Sequence, residues 1–508
     1  MWHLGNRIEK RHNTHMKYIL SLLVGLSIST FADSVSAQSK QPNIVLIMAD
    51  DIGQGDIGFY HTDYTGKKPV IPTPNIDKLA REGMIFTDAH SPSSLCAPTR
   101  FSMMTGNYAF RNEQANWGAW GSKKYQRFDD AYTTIGRIAQ QGGYTTAFFG
   151  KWGMEGLMEG YPKEYSGFEQ TTLGPEYYGF NYSYWMPDGI QFHPYLHYEN
   201  SQWVKLKPDS KIVKVSFELT KYPESWRERD REGPGDSNWD PTIVGPILAE
   251  KAVGFIDRQK NTNKPFFIYY CSQAVHEPHN PPAKLGETTI AGKTPSAHGD
   301  MIWELDVQVG ELVKALKKNG MFENTLFVFT SDNGGLKGSE FDHTPGHDTS
   351  NGWTGNKSLI WEGGHRVPFI AVWPGHIAPG SKSQVSIVGH DMVATVAALA
   401  QVPTEGLNLQ DSKNLLPTLT MSNDQPVHDY LIHRASKGKD FYYAIRMGDW
   451  KLIAQTKGKD KWETLYPTGL YNLKQNRQET EKTNLMGKAG NTQRVDDMMK
   501  KLKEILSR

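Results

Sequence analysis

Four short apolar runs constrain the fold of this 508-residue chain more than any other feature of the sequence. The runs are residues 44–49, 144–149, 266–270 and 325–330. Each is rich in β-branched and aromatic residues and apolar at consecutive positions, which is typical of strands buried on both faces. A segment of helical periodicity, residues 302–316, separates the last two runs and ends before Gly320. The alternation predicts an α/β fold with a large mixed sheet between helices.

Acidic and amide side chains follow the first and last runs, where each strand ends. Asp50 and Asp51 come directly after residue 49, and Asp332 and Asn333 follow residue 330 after one serine. In an open α/β sheet, the carboxyl ends of the strands form the edge at which ligands bind. Three carboxylates and one amide carbonyl suit Ca²⁺ or Mg²⁺, and no Cys/His spacing indicates zinc. Each motif alone is also consistent with an ordinary strand-end turn.

Positively charged residues and a histidine occupy similar positions. Lys151 follows the second run, His276 comes six residues after the third, and Arg100 and Lys357 lie in turn-like segments. Single lysines and arginines are usually solvated, but a lysine directly after a buried strand is less ordinary. A divalent cation with three fixed positive side chains indicates a site for a tetrahedral anion.

The charge and the N-terminal segment limit the partners and the location. The formal net charge is +1, so no overall positive field indicates nucleic-acid binding. Residues 1–37 have the basic start, apolar middle and small-residue cleavage site of a signal peptide, with Met16 as an alternative start. The apolar segment 18–28 is short for a membrane span, and no other long apolar run follows. We therefore expect an exported bacterial protein, periplasmic or secreted, without a transmembrane segment.

The chain has only two cysteines, and one of them lies in an unusual place. Cys96 is part of the polar stretch SPSSLCAPTRFSMMTGN, residues 91–107, whereas buried thiols normally occur in apolar runs. A disulfide with Cys271 is one explanation in an exported protein, although a single bridge adds little to a chain of this size. The neighbouring Pro98 and Arg100 point to a second explanation.

Residues 96–100, CAPTR, resemble the C-x-P-x-R signature of type I sulfatases. The resemblance covers most of the chain, and further motifs follow in the family's order. They are PNIVLIMADDIGQGD (42–56), TPNIDKLAREGMIFTDAHS (73–91), GYTTAFFGKWG (143–153), HEPH (276–279), FTSDNG (329–334), GNKSLIWEGGHRVPF (355–369), RMGDWKLI (446–453) and GLYNL (469–473). By this resemblance the chain is identified as a member of the formylglycine-dependent sulfatases, similar to bacterial carbohydrate sulfatases.

The resemblance implies an alkaline phosphatase-like fold and a particular chemistry. It implies that a maturation enzyme oxidises Cys96 to formylglycine (3-oxoalanine), so that the hydrated aldehyde becomes the nucleophile toward sulfur. It also implies a bound Ca²⁺, with Mg²⁺ as the alternative. The implied metal ligands are Asp50, Asp51, Cys96, Asp332 and Asn333.

The resemblance also implies the roles of the cationic residues and the histidine. Arg100 would anchor the formylglycine, and Lys151 and Lys357 would hold the sulfate oxygens. His276 would protonate the leaving oxygen as a general acid. Fixed positive groups agree with the negative charge that develops when a sulfate ester breaks.

Two positions depart from the family pattern. The family often has GKWHLG, whereas this chain has GKWGMEG, so Gly153 replaces a histidine that contacts the modified residue. His347 and His193 are candidates for a substitute base, although each also suits a substrate subsite or a structural role. Asn107 replaces a supporting arginine. Gly153 also gives some support to a second class of function, a catalytically inactive protein that binds sulfated glycans.

The segment 171–239 is long, aromatic and polar, which predicts one wall of the substrate pocket; an ordinary surface insertion is the alternative. We expect its aromatic rings to stack on sugars, in particular those of Trp185, Tyr195 and Trp239. We expect polar side chains to bind hydroxyl or sulfate groups, namely Asp188, His193 and Arg227, with His347 as a further subsite residue. The segment favours a sulfated oligo- or polysaccharide substrate. A phosphonate or phosphate monoester hydrolase of the same superfamily is the main alternative.

The sequence predicts three parts: a signal peptide (1–37), a catalytic domain (38–425) and a smaller C-terminal subdomain (426–508). The subdomain should contain an antiparallel sheet from the segments LIHRA, YYAIRMG, WKLIAQ and GLYNL. A basic amphipathic helix is expected near 495–506. The glycan, the sulfate position, exo or endo action and the oligomeric state stay open.

Overall fold

The four apolar runs form neighbouring parallel strands at the centre of a large sheet. The computed structural model of the chain describes residues 41–507 apart from 113–131, 155–164, 166, 230, 338–343, 422–424, 438–439 and 458–460. The predicted signal peptide, residues 1–37 with the alternative start Met16, lies outside the described residues. Within the described ranges, no helix combines the length and the apolar character needed to cross a membrane.

The structure contains twenty strands in its described part, numbered in chain order. They are β1 Asn43–Ala49, β2 Met84–Phe86, β3 Ala89–His90, β4 Thr145–Lys151, β5 Tyr182–Met186, β6 His197–Glu199, β7 Gln202–Val204, β8 Ile212–Val215, β9 Gly233–Asp236, β10 Phe266–Cys271, β11 Lys284–Leu285, β12 Thr288–Thr289, β13 Thr325–Ser331, β14 Phe369–Val372, β15 Ser381–Ser383, β16 Ile387–Val388, β17 Leu431–Lys437, β18 Asp440–Met447, β19 Trp450–Gln455 and β20 Tyr466–Asn472.

The described residues also form eleven α-helices. They are α1 Gly58–Thr65, α2 Pro74–Glu82, α3 Cys96–Thr105, α4 Ile135–Gln141, α5 Phe217–Thr220, α6 Val244–Gln259, α7 Ala297–Lys318, α8 Glu362–His365, α9 Asp391–Leu399, α10 Leu416–Leu419 and α11 Thr492–Leu506. Helix α7 contains the predicted helical segment and begins earlier, because the Ser296 side chain caps it by accepting from the Gly299 N–H.

The large sheet has ten strands in the order β15-β2-β14-β13-β1-β10-β4-β5-β6-β7. Strands β13, β1, β10, β4 and β5 are parallel, and the flanking strands β14, β6 and β7 run antiparallel to their inner neighbours. Both faces are buried: Ile44, Leu46 and Met48 enter one core, and Val45 and Ile47 enter the other. Helices α3, α4 and α9 cover the first face, and α2, α6 and α7 cover the second. The predicted mixed sheet between helices is confirmed.

A smaller antiparallel sheet, in the order β17-β18-β19-β20, follows at the C-terminal end. Helix α11 packs onto it through Val495, Met498, Leu502 and Ile505, which recur at helical spacing and are buried. The predicted C-terminal α+β subdomain is confirmed. Its boundary near residue 425 stays a prediction.

Buried ion pairs connect the small sheet to residues next to the large one. Arg446 on β18 donates to both carboxylate oxygens of Asp88, at 2.5 and 2.7 Å. Lys451 on β19 pairs with Glu362 at 3.0 Å and with Glu479 at 2.8 Å. Burial alone would raise the pKa of Asp88, but Arg366 and Arg446 hold it well below its ordinary value.

Three buried histidines lie at the centre of these ion pairs. The Nδ1 atoms of His90 and His365 are 3.0 Å apart, and the rings of His365 and His433 stack with centroids 3.5 Å apart. Lys451 Nζ lies 3.2 Å from His365 Nε2 and can only donate to it. His365 Nε2 also lies 3.2 Å from the Ile360 carbonyl, and His90 Nε2 lies 2.8 Å from Asp88 Oδ1 and 3.2 Å from Arg446 Nη1. Burial lowers the pKa of all three histidines, which keeps them neutral.

Candidate functional site

The acidic residues converge at the carboxyl ends of β1 and β13. The Asp51 N–H donates to Asp332 Oδ1 at 3.1 Å, and the Asn333 amide donates to Asp51 Oδ1 at 2.8 Å. Asp51 has a φ of +66°, a left-handed conformation that is uncommon for residues with a Cβ atom, and it turns the chain directly after Asp50. All four side chains are buried. The two adjacent strand ends therefore present their oxygens to one point.

Three cations from three other segments reach the same point. Lys151 ends β4, Arg100 lies on α3, and Lys357 lies in the loop before α8. Each forms a close ion pair with a different carboxylate. The pairs are Lys151–Asp50 at 2.6 Å, Arg100–Asp332 at 2.7 Å and Lys357–Asp51 at 2.6 Å. The predicted acidic and basic groups thus form one charge-balanced cluster.

Cys96 is the first residue of α3 and lies beside these cations. Its side chain is close enough to act electrostatically on Arg100, Lys151 and Lys357. Arg100 stands one helical turn later on the same face of α3, which explains the spacing in the CAPTR motif. Cys96 is partly exposed and Cys271 is buried, and both are free thiols, so the alternative of a disulfide between them is wrong.

The electrostatics of the cluster show how tightly the groups interact. Burial and the charge of Asp50 raise the pKa of Asp332 to about 7. Burial also works to raise the pKa of Asp50, but Lys151 and His276 hold it below its ordinary value. His276 Nε2 lies 3.8 Å from Asp51 Oδ2, and burial together with Lys357 lowers the pKa of His276 to about 4. Crowding of carboxylates at one point favours a bound cation.

The oxygens at this point fit a hard divalent cation. Asp50 Oδ1 and Asn333 Oδ1 are buried and have no hydrogen-bond partner. Ligand atoms of Asp50, Asp51 and His276 lie within 4.8 Å of one another. Unpartnered buried oxygens are costly, and a divalent cation with oxygen preference would satisfy them.

Comparison with known proteins agrees with this geometry. The family model described as sulfatase matches residues 42–402, which include every residue of the cluster. The chain belongs to the sulfatase family. The model described as N-sulphoglucosamine sulphohydrolase, C-terminal, matches residues 350–508 of this sulfatase. The chain is accordingly an enzyme of the sulfuric ester hydrolase class.

Two similar proteins of known name cover most of this sulfatase. An N-acetylgalactosamine-6-O-sulfatase of Bacteroides thetaiotaomicron is 29% identical over 464 residues, 85% of this chain and 86% of that protein. Human arylsulfatase G is 29% identical over 469 residues, 89% of this chain and 82% of that protein.

Solved structures support the same family. A structure from work on the metabolism of multiple glycosaminoglycans by Bacteroides thetaiotaomicron has a TM-score of 0.76 and 27% identity, covering 92% of this chain and all of that one. A crystal structure of Ps i-CgsB in complex with a neocarrahexaose has a TM-score of 0.67 and 26% identity, covering 92% of this chain and 93% of that one.

Gly153 and Asn107, the two departures from the family pattern, have structural explanations. Gly153 has a φ of +63°, and a Cβ atom built there would lie 2.7 Å from Arg100 Cδ. A side chain at Gly153 would therefore require a left-handed backbone and a shift of the Arg100 side chain. Asn107 donates to the Asn408 carbonyl at 2.7 Å and accepts from the Gln410 N–H at 2.9 Å, so it joins two loops.

The two candidates for a substitute base are placed differently. His347 Nε2 pairs with Asp56 Oδ1 at 2.6 Å, and its ring faces His298, with the ring centroids 6.4 Å apart. His193 is buried and packs directly against Gly233. Among the contacts described for them, neither histidine approaches Cys96. The base role of each histidine stays a prediction.

The predicted aromatic wall of the pocket is wrong. Trp185, Tyr195 and Trp239 are each at most 2% exposed, so none of these rings can stack on a sugar. Tyr195 and Trp239 instead pack on each other with ring centroids 5.2 Å apart. Trp185 belongs to the core on one face of the large sheet, and Tyr195 and Trp239 belong to the core on the other face.

The polar residues predicted for the substrate pocket divide into two groups. Arg227 is exposed and ion-paired with Glu224 at 2.5 Å and with Glu218 at 3.2 Å, which is typical of a surface residue. Asp188 lies near Lys151: burial raises the pKa of Asp188 to about 6, while the charge of Lys151 opposes that shift. Asp188 therefore remains a candidate for substrate contact, and the structure does not place Arg227 in the site.

Sequence reasoning missed the residues that fix the Lys357 loop. Glu479, far along the chain, accepts the Glu362 N–H at 2.6 Å, and its own N–H donates to Thr354 Oγ1 at 2.8 Å. These two bonds bracket the segment that carries Lys357. No local sequence pattern predicts such a contact, because Glu362 and Glu479 are 117 residues apart.

Proposed function

We propose that this sulfatase removes sulfate esters from a sulfated carbohydrate, with Cys96 matured to formylglycine and a divalent cation, Ca²⁺, bound beside it. The cation would be held by Asp50, Asp51, Asp332 and Asn333. The single observation that carries the proposal is the convergence of these oxygens, three cationic side chains and a partly exposed cysteine at one sheet edge.

The formylglycine, the cation and the cationic side chains have different roles in the proposed reaction. When present, the hydrated aldehyde supplies an oxygen nucleophile, and the cation supplies charge stabilisation next to it. Arg100 fixes the positions of Asp332 and of the Lys151 backbone. Its Nη2 donates to Asp332, and its Nη1 donates to the Lys151 carbonyl at 2.8 Å. Lys151 and Lys357 bind the sulfate oxygens, where negative charge increases as the ester bond breaks.

His276 is suited to protonate the leaving oxygen. Its Nδ1 lies 2.8 Å from the Glu277 carbonyl and donates to it, so Nε2 faces the cluster. The pKa of His276 is lowered to about 4, first by burial and then by Lys357. A bound sulfate brings negative charge, which favours the imidazolium form that a general acid requires.

A carbohydrate substrate is supported by the similar proteins. The bacterial relative is named an N-acetylgalactosamine-6-O-sulfatase, and the complexed structure holds a neocarrahexaose. The predicted export signal would bring the enzyme to such polymers. Phosphonate or phosphate ester hydrolysis remains the rival, and the relative rates on matched sulfate and phosphonate esters separate the two.

The proposal is tested on protein purified from its native host. Formylglycine makes the peptide that carries Cys96 lighter by about 18 Da than the thiol form. Sulfate release from chondroitin, dermatan and carrageenan oligosaccharides is then measured, with Cys96→Ser as the control. The proposal requires the mass loss, sulfate release by the wild type and none by Cys96→Ser. A thiol at Cys96 together with glycan binding but no sulfate release would favour the inactive binding protein.

A further inference from the structure

An aromatic and cationic patch lies beside the proposed sulfate site, in the segment predicted to form the pocket wall. Phe192 is 44% exposed, unusually high for a phenylalanine. The Arg231 guanidinium stacks on its ring, with the carbon atom 4.1 Å from the centroid. Tyr222 and Trp226 form the base of the patch, each 5.1 Å from the same guanidinium.

Arg231 differs from the nearby Arg227 in its charge balance. Within the part of the chain that the structure describes, no carboxylate forms an ion pair with it. Its Nη1 donates to the Gln191 carbonyl at 3.1 Å, and its buried Nε has no hydrogen-bond partner. Among the described residues, the charge of Arg231 therefore meets aromatic faces and one carbonyl, which leaves it available to an anion.

Hydrogen bonds connect this patch to both sides of the sulfate site. The Tyr222 hydroxyl donates to the Gln191 carbonyl at 2.9 Å and lies 3.4 Å from the carbonyl of Glu277, the residue after His276. Gln191 is 3% exposed, and its Oε1 is buried without a partner. That oxygen and Lys151 Cδ lie 2.8 and 3.1 Å from the Cβ position of Gly189. The patch thus adjoins the segments that carry Lys151 and His276.

We propose that Arg231 and Phe192 form a subsite for an anionic sugar residue next to the one that loses its sulfate. Arg231 donates to a carboxylate or sulfate of that neighbouring residue. The exposed ring of Phe192 packs against the C–H groups of the sugar. This subsite rests on the proposed carbohydrate sulfatase function and extends it to the substrate class: a chain of at least two sugars with a negative charge on the neighbour.

The test measures binding separately from turnover. Full-length Cys96→Ser protein is titrated with a 6-sulfated chondroitin tetrasaccharide and with 6-sulfated N-acetylgalactosamine. We expect Arg231→Ala to weaken tetrasaccharide binding about tenfold, the usual scale for one charge-assisted bond, and to leave monosaccharide binding unchanged. Phe192→Ala should weaken only the tetrasaccharide, by about threefold. The control Arg227→Ala, an arginine already paired with two glutamates, should change neither.

Two further probes separate the sources of the anion. If Arg231 binds the carboxylate, Arg231→Ala should not weaken the binding of a carboxyl-reduced chondroitin tetrasaccharide. An ι-carrageenan tetrasaccharide has sulfates and no carboxylates. If Arg231 binds sulfate, Arg231→Ala should still weaken the binding of this tetrasaccharide. If Arg231→Ala weakens the binding of the tetrasaccharide and the monosaccharide equally, or weakens neither, the proposed subsite is overturned. Absence of sulfate release by the wild type counts against the proposed function, whereas the binding result still decides the subsite.

Discussion

The carboxylate of Glu479 accepts the backbone N–H of Glu362 at 2.6 Å and lies 2.8 Å from the buried ammonium of Lys451. One side chain next to the small sheet thereby fixes the end of the loop that holds Lys357 against Asp51. The position of Lys357 in the site therefore depends on a contact well outside the site.

We predict that Glu479→Gln lowers kcat/KM by about tenfold, or ~1.4 kcal/mol, because the loop loses a carboxylate acceptor and Lys451 keeps only Glu362 as an ion-pair partner. The measurement is sulfate release at saturating and limiting substrate, together with thermal unfolding. Glu481→Gln, two residues later and exposed, is the matched control. Equal activity in both variants would contradict the role of Glu479.

Divalent cation binding should stabilise the folded enzyme by mass action, because the ligand set is assembled only in the folded chain. We expect Ca²⁺ at a hundredfold excess over its dissociation constant to add about 2.7 kcal/mol to the free energy of unfolding. Asp50→Asn should abolish the rise in Tm that Ca²⁺ produces. Asp63→Asn, at a surface ion pair with Lys382, should retain it. A rise of the same size in Asp50→Asn would place the cation elsewhere.

A side chain at Gly153 should destabilise the enzyme for two separable reasons. The left-handed backbone costs about 1 kcal/mol for alanine, and the close approach to Arg100 Cδ adds a steric cost. Gly143 has a φ of +85° with open space around it, so Gly143→Ala reports the backbone cost alone. We expect Gly153→Ala to lower the free energy of unfolding more than Gly143→Ala, and to reduce sulfate release as well. Urea unfolding measures the first effect, and equal losses would show that Arg100 moves freely aside.

The buried histidines predict a loss of stability in acid. Burial lowers the pKa of His90, His365 and His433 in the folded state, so below about pH 6.5 the unfolded chain binds more protons than the folded one. Their contribution to the free energy of unfolding is therefore complete above that pH. It decreases as the pH falls, by up to about 1.4 kcal/mol per pH unit for each histidine. Nearby Arg446 and Lys451 oppose any added positive charge.

His433→Phe provides the test, because phenylalanine preserves the stack on His365 and cannot be protonated. The measurement is urea unfolding at pH 7.5 and at pH 5.5. The variant should lose less stability than the wild type between these two values. An unchanged difference would mean that His433 does not titrate in this range.

Much of the frame was predictable from local patterns. Consecutive apolar residues fixed the central strands, and the polar residues after them had to meet at one edge because neighbouring strands are parallel. The sequence therefore predicts that Asp50 lies near Asp332. The role of Cys96 came from a motif resemblance and not from packing.

The failures have a common physical cause. The sequence does not distinguish Arg227 from Arg231, since ion pairing with Glu218 or stacking on Phe192 depends on how the segment folds back. It also could not show that Trp239 is a core residue, because a large ring packs in a hydrophobic core as well as on a sugar. Contacts such as that of Glu479 join residues too far apart for any periodic pattern.

The long separation of Glu362 and Glu479 also has a consequence for biosynthesis. The ribosome makes Glu362 117 residues before its partner, so the loop that carries Lys357 emerges before Glu479 can hold it. During that interval the loop has only its contacts with residues already translated. Activity is therefore expected to be acquired late, and a nascent chain that stops between these two residues would carry every proposed catalytic side chain yet hold Lys357 loosely.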